Sequence, residues 1–291
     1  MMRGAEAWNA FWYTPSSGHR IAVVRILLGL YFLVYFGALT PHVTLLFSDQ
    51  GVYVPYWLPD YAPPPLIAHA IFALTLACCV ALVLGLRTAL VAPLLLLLFF
   101  HHYFLQLAVK QSSFDRLSAI YLLVLCFADS GRVWGFDARR PGPTPTVWAE
   151  RLIGAQTLLL YFGSGLWKLM NPAWHTGVLL HSNLQGMWAT PIAFSVVRAI
   201  PSAETWTHAS WVIIAFELLL APLLLARRTR ALGLLFGVGF HLFNCVVLVI
   251  PEFLVCIAAY PVFVEPETLR RFVEAVRSFG GVHSSRSAPR T

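Results

Sequence analysis

The sequence predicts an all-α integral membrane protein, a multi-pass helical bundle of about eight transmembrane segments. Three observations predict it. Hydrophobic residues make up 58% of the chain and charged residues only 11%, against roughly 25% charged in soluble domains. The apolar residues fall in runs close to the ~20 residues that a helix needs to cross hydrocarbon. The basic residues gather at the ends of those runs, as membrane topology requires. The net charge of +7 is therefore a topology signal and not a nucleic-acid footprint.

The segment 1–20 is an interfacial piece, in which Trp8, Phe11, Trp12 and Tyr13 suit an aromatic anchor. It is no cleavable signal, because no apolar core leads to a small-residue cleavage site. A transmembrane domain over 21–264 follows, with spans at 21–40, 66–86, 88–109, 114–128, 152–170, 208–226, 230–250 and 253–264. The fourth and eighth are short, and the eighth either crosses or only dips into the membrane. The connection from Pro172 to Pro201 carries Trp174, His175, His181 and Trp188, and its apolar piece at 192–197 is too short to span. Over 265–279, Leu269, Phe272, Val273, Val276 and Phe279 recur at helical spacing opposite Arg270, Arg271, Glu274 and Arg277. That pattern predicts an amphipathic helix on the membrane surface. Residues 280–291 read as a disordered tail.

Eight spans place 15 basic residues on one side and four on the other, with Arg25 inside the first span. The bias predicts a multi-pass protein of the bacterial inner (cell) membrane with both termini cytoplasmic. The five cysteines, Cys78, Cys79, Cys126, Cys245 and Cys256, lie in apolar runs and read as small packing residues. No spacing of His, Cys or carboxylates suits a metal, and no phosphate loop or nucleophile elbow is present.

Lys168 is the residue that needs an explanation. The chain has 18 Arg and two Lys, so its basic charge is normally Arg. A charged group near the membrane core is costly and marks a cavity or a partner. Lys releases its proton when buried and Arg does not, so a Lys at the end of a span is a candidate base. The other reading is snorkelling to the headgroups. Tyr161, Ser164 and Gly165 precede Lys168 by seven, four and three residues and share its helix face. Glu217, mid-span in Phe216-Glu-Leu-Leu-Leu-Ala-Pro222, must be paired or protonated. His241 and Asn244 share a face one turn apart. His101, His102, Asp115 and Arg116 are read as interfacial or capping groups, or as further members of a polar pocket in the outer half of the membrane.

Ala22-Val-Val-Arg-Ile-Leu-Leu-Gly-Leu30 resembles the opening Arg-containing helix of the HTTM (horizontally transferred transmembrane) domain family, which includes the membrane part of vitamin K-dependent gamma-carboxylase. Phe47-Ser-Asp-Gln-Gly-Val-Tyr53 resembles that family's first outer loop. The stretch from Tyr161 to Gly177 is similar to a carboxylase motif in which Lys-Leu precedes a short acidic turn and Trp. Phe240-His-Leu-Phe-Asn244 is similar to a Phe-His-x-x-Asn segment of a later span. The resemblance covers about 18–275.

It implies that Lys168 is the base that deprotonates a reduced, vitamin K-like quinone, with His241 as its catalytic companion. Tyr161, Ser164, Trp174, Glu217 and Asn244 would form the quinone-binding surroundings. Membrane lipid, a quinone and a peptide or protein substrate are the implied partners. The sequence departs from the carboxylase in two places. No large lumenal domain follows the last span, and Phe114 or Asp115 stands where the carboxylase has a functional His. A membrane partner or small-molecule transporter with a polar intramembrane pocket is the reading from a different class.

Overall fold

The structure is a computed structural model, described over residues 2–52, 61–106, 112–142 and 144–279. The predicted tail, Lys110 and the end of the predicted first outer loop lie outside these residues. Among them the only regular secondary structure is helical, apart from two isolated bridges, Pro15 with Thr146 and Ala189 with Leu248.

The N-terminal segment is a helix, α1 (Met2–Tyr13), and its Trp8, Phe11 and Tyr13 are exposed. The first span is α2 (His19–Leu39), continued after a 3-10 turn by α3 (Val43–Phe47). α4 (Pro65–Leu84), α5 (Thr88–Gln106) and α6 (Ser113–Phe127) come next, then α7 (Trp148–Met170). The predicted connection folds into three short helices, α8 (Pro172–His175), α9 (Val178–Asn183) and α10 (Pro191–Ala199). α11 (Ala203–Leu225) and α12 (Arg230–Val247) complete the long helices. The eighth predicted span is Pro251–Phe263, in which the six-residue α13 (Leu254–Ala259) is flanked by 3-10 turns. α14 (Pro266–Phe279) is the predicted amphipathic helix.

Among the described residues, five helical stretches are long and apolar enough to cross a membrane: His19–Phe47, α4, α5, α11 and α12. α7 has the length but carries Glu150, Arg151 and Lys168. α6 and Pro251–Phe263 are short against the ~20 residues a crossing takes.

Side-chain contacts define one arginine-rich end of the bundle. Arg20, at the start of α2, donates to Glu150 at the start of α7 at 3.2 Å and to the Val264 carbonyl at 2.6 Å. Glu265 in turn meets Arg227 at 3.3 Å and Arg230 at 3.7 Å. Arg25, which the sequence places near the inner surface and within reach of it by snorkelling, does not snorkel. It is fully buried and donates to the carbonyls of Leu82, Val83 and Trp134 at 3.0, 3.1 and 2.9 Å. The last carbonyls of a helix lack intrahelical donors, and a guanidinium supplies several at once. Arg25 thus closes the end of α4.

The main core joins α2, α4, α5, α6 and α13 through Leu28, Phe32, Leu82, Leu95, Leu122 and Val255. Ile153 and Tyr161 of α7 and Leu220 and Leu224 of α11 belong to the same core, and these two helices make the most extensive pairing in the bundle. A small second cluster of Leu184, Ala193, Trp206 and Val247 fastens the connection onto α11 and α12.

Candidate functional site

The site begins with the last three turns of α7. Helical spacing stacks Tyr161, Ser164 and Lys168 on one face. The Lys168 ammonium donates to Ser164 Oγ at 2.7 Å and to Glu217 Oε2 at 2.6 Å. The two charged side chains are 12% and 8% exposed. Glu217 therefore has a named partner, on the neighbouring helix α11.

Gly165 decides that this meeting takes place. A Cβ there would lie 2.9 Å from the Leu218 backbone nitrogen and from its Cγ. Only glycine lets α11 approach α7 so closely, the usual role of small residues in membrane helix pairs. The helix bearing Glu217 is thus the one packed against Gly165.

Trp174 covers Lys168. Asn171 ends α7 and accepts the Ala173 N–H to start α8, which turns Trp174 back over the site. Ser210 of α11 holds it by donating to the Trp174 carbonyl at 2.5 Å. The Lys168 Nζ lies 5.0 Å from the indole centroid, within reach of a cation–π attraction. Trp174 Nε1 is buried and has no hydrogen-bond partner. Leaving such a donor unpaired costs about 1–3 kcal/mol, so it is a point where a ligand acceptor would be favoured.

One turn or more towards the arginine-rich end, Tyr161 joins a second polar set. Its hydroxyl shares a hydrogen bond with His241 Nε2 at 2.5 Å and another with the Tyr260 hydroxyl at 2.6 Å. All three residues are buried, and His241 Nδ1 has no partner. Gly237 of α12 makes room, since a Cβ there would lie 2.2 Å from the Tyr260 oxygen. Tyr260 was absent from the sequence reading. A tyrosine in an apolar run was the available signal, because a buried phenol needs a partner.

The remaining candidates lie elsewhere. The half-buried Asn244 amide donates to the Phe240 carbonyl of its own helix at 2.8 Å. His101 bonds the Tyr61 hydroxyl at 2.8 Å, and His102 bonds Thr75 at 3.0 Å inside a cage of Phe36, Phe47 and Phe72. These two histidines form a separate set on α3, α4 and α5. Asp115 and Ser112 form a capping box at the start of α6.

Chemically, Lys168 and Glu217 form an ion pair joined by one short hydrogen bond. Ser164 orients the amine, and the Trp174 ring lies over it. The site thus gathers two donors, the Lys168 ammonium and the Trp174 indole N–H, and one acceptor, the Glu217 carboxylate. Among the described residues no three His, Cys, Asp or Glu side chains come together to hold a metal.

No curated protein and no solved structure matches the chain. The family model described as the HTTM domain matches residues 13–267, and the chain, a helical membrane protein over that range, belongs to the HTTM domain family.

Proposed function

We propose that this HTTM protein is a quinone-linked membrane enzyme, with Lys168 and Glu217 as its proton-handling pair. The observation that carries the reading is the 2.6 Å contact of Lys168 with Glu217 beside the unpartnered Trp174 Nε1. A bound hydroquinone would supply an acidic hydroxyl and, once deprotonated, the electrons that reduce dioxygen. Lys168 accepts a proton at Nζ in its neutral amine form. That form exists when the resting ammonium proton has crossed to Glu217 Oε2, an exchange that leaves the pair neutral. The pair ends as an ammonium and a carboxylic acid, having stored one proton. Trp174 Nε1 donates to the ligand oxygen, and the ammonium offsets the charge left there. His241 holds Tyr161 and supports the face that carries Ser164 and Lys168. On this reading the protein lies in the cell membrane with the arginine-rich end and both termini in the cytoplasm.

A second reading has a specific observation in its favour. Lys168 and Glu217 satisfy one another, so they can serve as an inter-helix tie in a ligand carrier or membrane partner without turnover.

Oxygen consumption by proteoliposomes supplied with a reduced naphthoquinone separates the two, alongside equilibrium binding of that quinol. Lys168→Arg keeps the charge and removes the accessible neutral amine. The expected result is retained binding with turnover reduced by about 10²-fold or more. Equal turnover in both proteins sinks the base role. Quinol binding without turnover in the native chain favours the carrier reading, and absence of binding removes the quinone.

A further inference from the structure

The arginine-rich end holds a cavity of about 230 Å³ where α4 gives way to α5, well apart from Lys168. Three guanidinium groups, those of Arg87, Arg132 and Arg140, line it together with Thr88, Asp129 and Asp137. They come from two stretches of chain, the α4–α5 turn and the loop after α6. We infer that this cavity binds the phosphate group of an anionic lipid headgroup or of a soluble phosphate.

The local hydrogen bonds explain why the arginines remain available. Asp137 accepts the Arg87 N–H at 2.9 Å through one oxygen. Its other oxygen accepts the Thr88 N–H at 2.7 Å and the Thr88 hydroxyl at 2.9 Å. These bonds hold Arg87 in the left-handed region, with φ 46°, which residues with a Cβ seldom occupy. They also occupy the carboxylate, so Arg140 stays 3.7 Å from it. Arg132 lies equally far from Asp129, at 3.7 Å. Both distances exceed a hydrogen bond, but Arg132 already donates to the Arg140 carbonyl at 2.6 Å, which fixes the loop and leaves Arg87 and Arg140 as the available pair. Arg87 is exposed and has no acidic partner among the described residues.

The three cations face two carboxylates, and one of those is spent on backbone and hydroxyl donors. Asp137 stays ionised: burial alone would raise its pKa, but the Thr88 and Arg87 hydrogen bonds and the Arg140 charge together lower it. The cavity therefore keeps a net positive charge, and the guanidinium forks of Arg87 and Arg140 are the ones left to meet a ligand. A tetrahedral phosphate accepts such forks in bidentate fashion. The site lies at the ends of α4 and α5, the depth at which lipid phosphates meet basic pockets between helices.

The test uses the purified full chain in uncharged detergent at fixed ionic strength. Binding of short-chain phosphatidylglycerol and of inorganic phosphate is measured by titration, with thermal melting as a fold control. Arg87→Asn removes a guanidinium and keeps a residue that tolerates positive φ. Arg140→Gln removes the most exposed of the pair-forming arginines, and Arg228→Gln is an exposed control at the same end. The expected result is saturable binding, weakened about tenfold by each of the first two variants and unchanged by the third. Phosphatidylglycerol binding alone makes the ligand a lipid headgroup. The same pattern with inorganic phosphate, and no gain from the lipid tails, makes it a soluble anion. Failure of both to saturate the native chain overturns the site. Equal weakening by Arg228→Gln does so too, because it would show diffuse charge attraction only.

Discussion

Breaking the Lys168–Glu217 pair from one side should cost far more than replacing both partners. At 2.6 Å and an effective dielectric of ~20, the Coulomb attraction is about 6 kcal/mol. Desolvation of both ions offsets much of it, since the side chains are only 12% and 8% exposed. Lys168→Met strands a buried carboxylate, and Glu217→Met strands a buried ammonium. Each should lose about 3–5 kcal/mol, or roughly 6–20 °C of melting temperature by the scaling for soluble domains. The double Met variant leaves no stranded charge and keeps similar side-chain volume between α7 and α11. It should lie within about 2 kcal/mol of the native chain. Melting of the four proteins in one detergent completes the cycle. A double variant whose loss equals the sum of the two single losses would refute the pairing. Lys168→Arg, by contrast, should melt close to the native chain while losing quinol oxidation.

Three further predictions concern packing, pH and topology. Gly165→Val should destabilise by about 1–3 kcal/mol through overpacking against Leu218 and weaken quinol binding. Gly163→Val, whose Cβ would meet nothing within 4 Å, should change little, and equal melting of the two would remove the role of close approach. Asp137 has a lowered pKa in the fold, so its stabilisation is complete above the ordinary value of 3.8 and fades as pH falls through the folded value. Native melting should thus drop as pH falls below 3.8, and Asp137→Asn should start lower at neutral pH and drop less; parallel curves would count against it. With both termini cytoplasmic, an impermeant maleimide should label Gln185→Cys in intact cells and Ala138→Cys only after permeabilisation, and the reverse pattern would invert the topology.

The sequence by itself determined that the chain is a helical membrane protein and where its long helices lie, but not the short helices of the connection after α7. Composition and run length carry that information, because hydrocarbon obliges each segment to satisfy its own backbone bonds. Helical periodicity also placed Tyr161, Ser164 and Lys168 on one face, and the cost of a mid-span carboxylate marked Glu217. Only the tertiary structure decided which partners meet. Lys168 and Glu217 are 49 residues apart, and nothing in the pattern of either helix names the other. Their contact follows from the approach that Gly165 permits, and apolar helices within lipid gain little from hydrophobicity to select one neighbour over another. The same reason hid Tyr260 behind Tyr161 and left Asn244 to be found on its own helix. It also turned Arg25, legible as a charge near the surface, into the buried donor that closes α4, because carbonyls at a helix end attract whichever donor the fold brings to them.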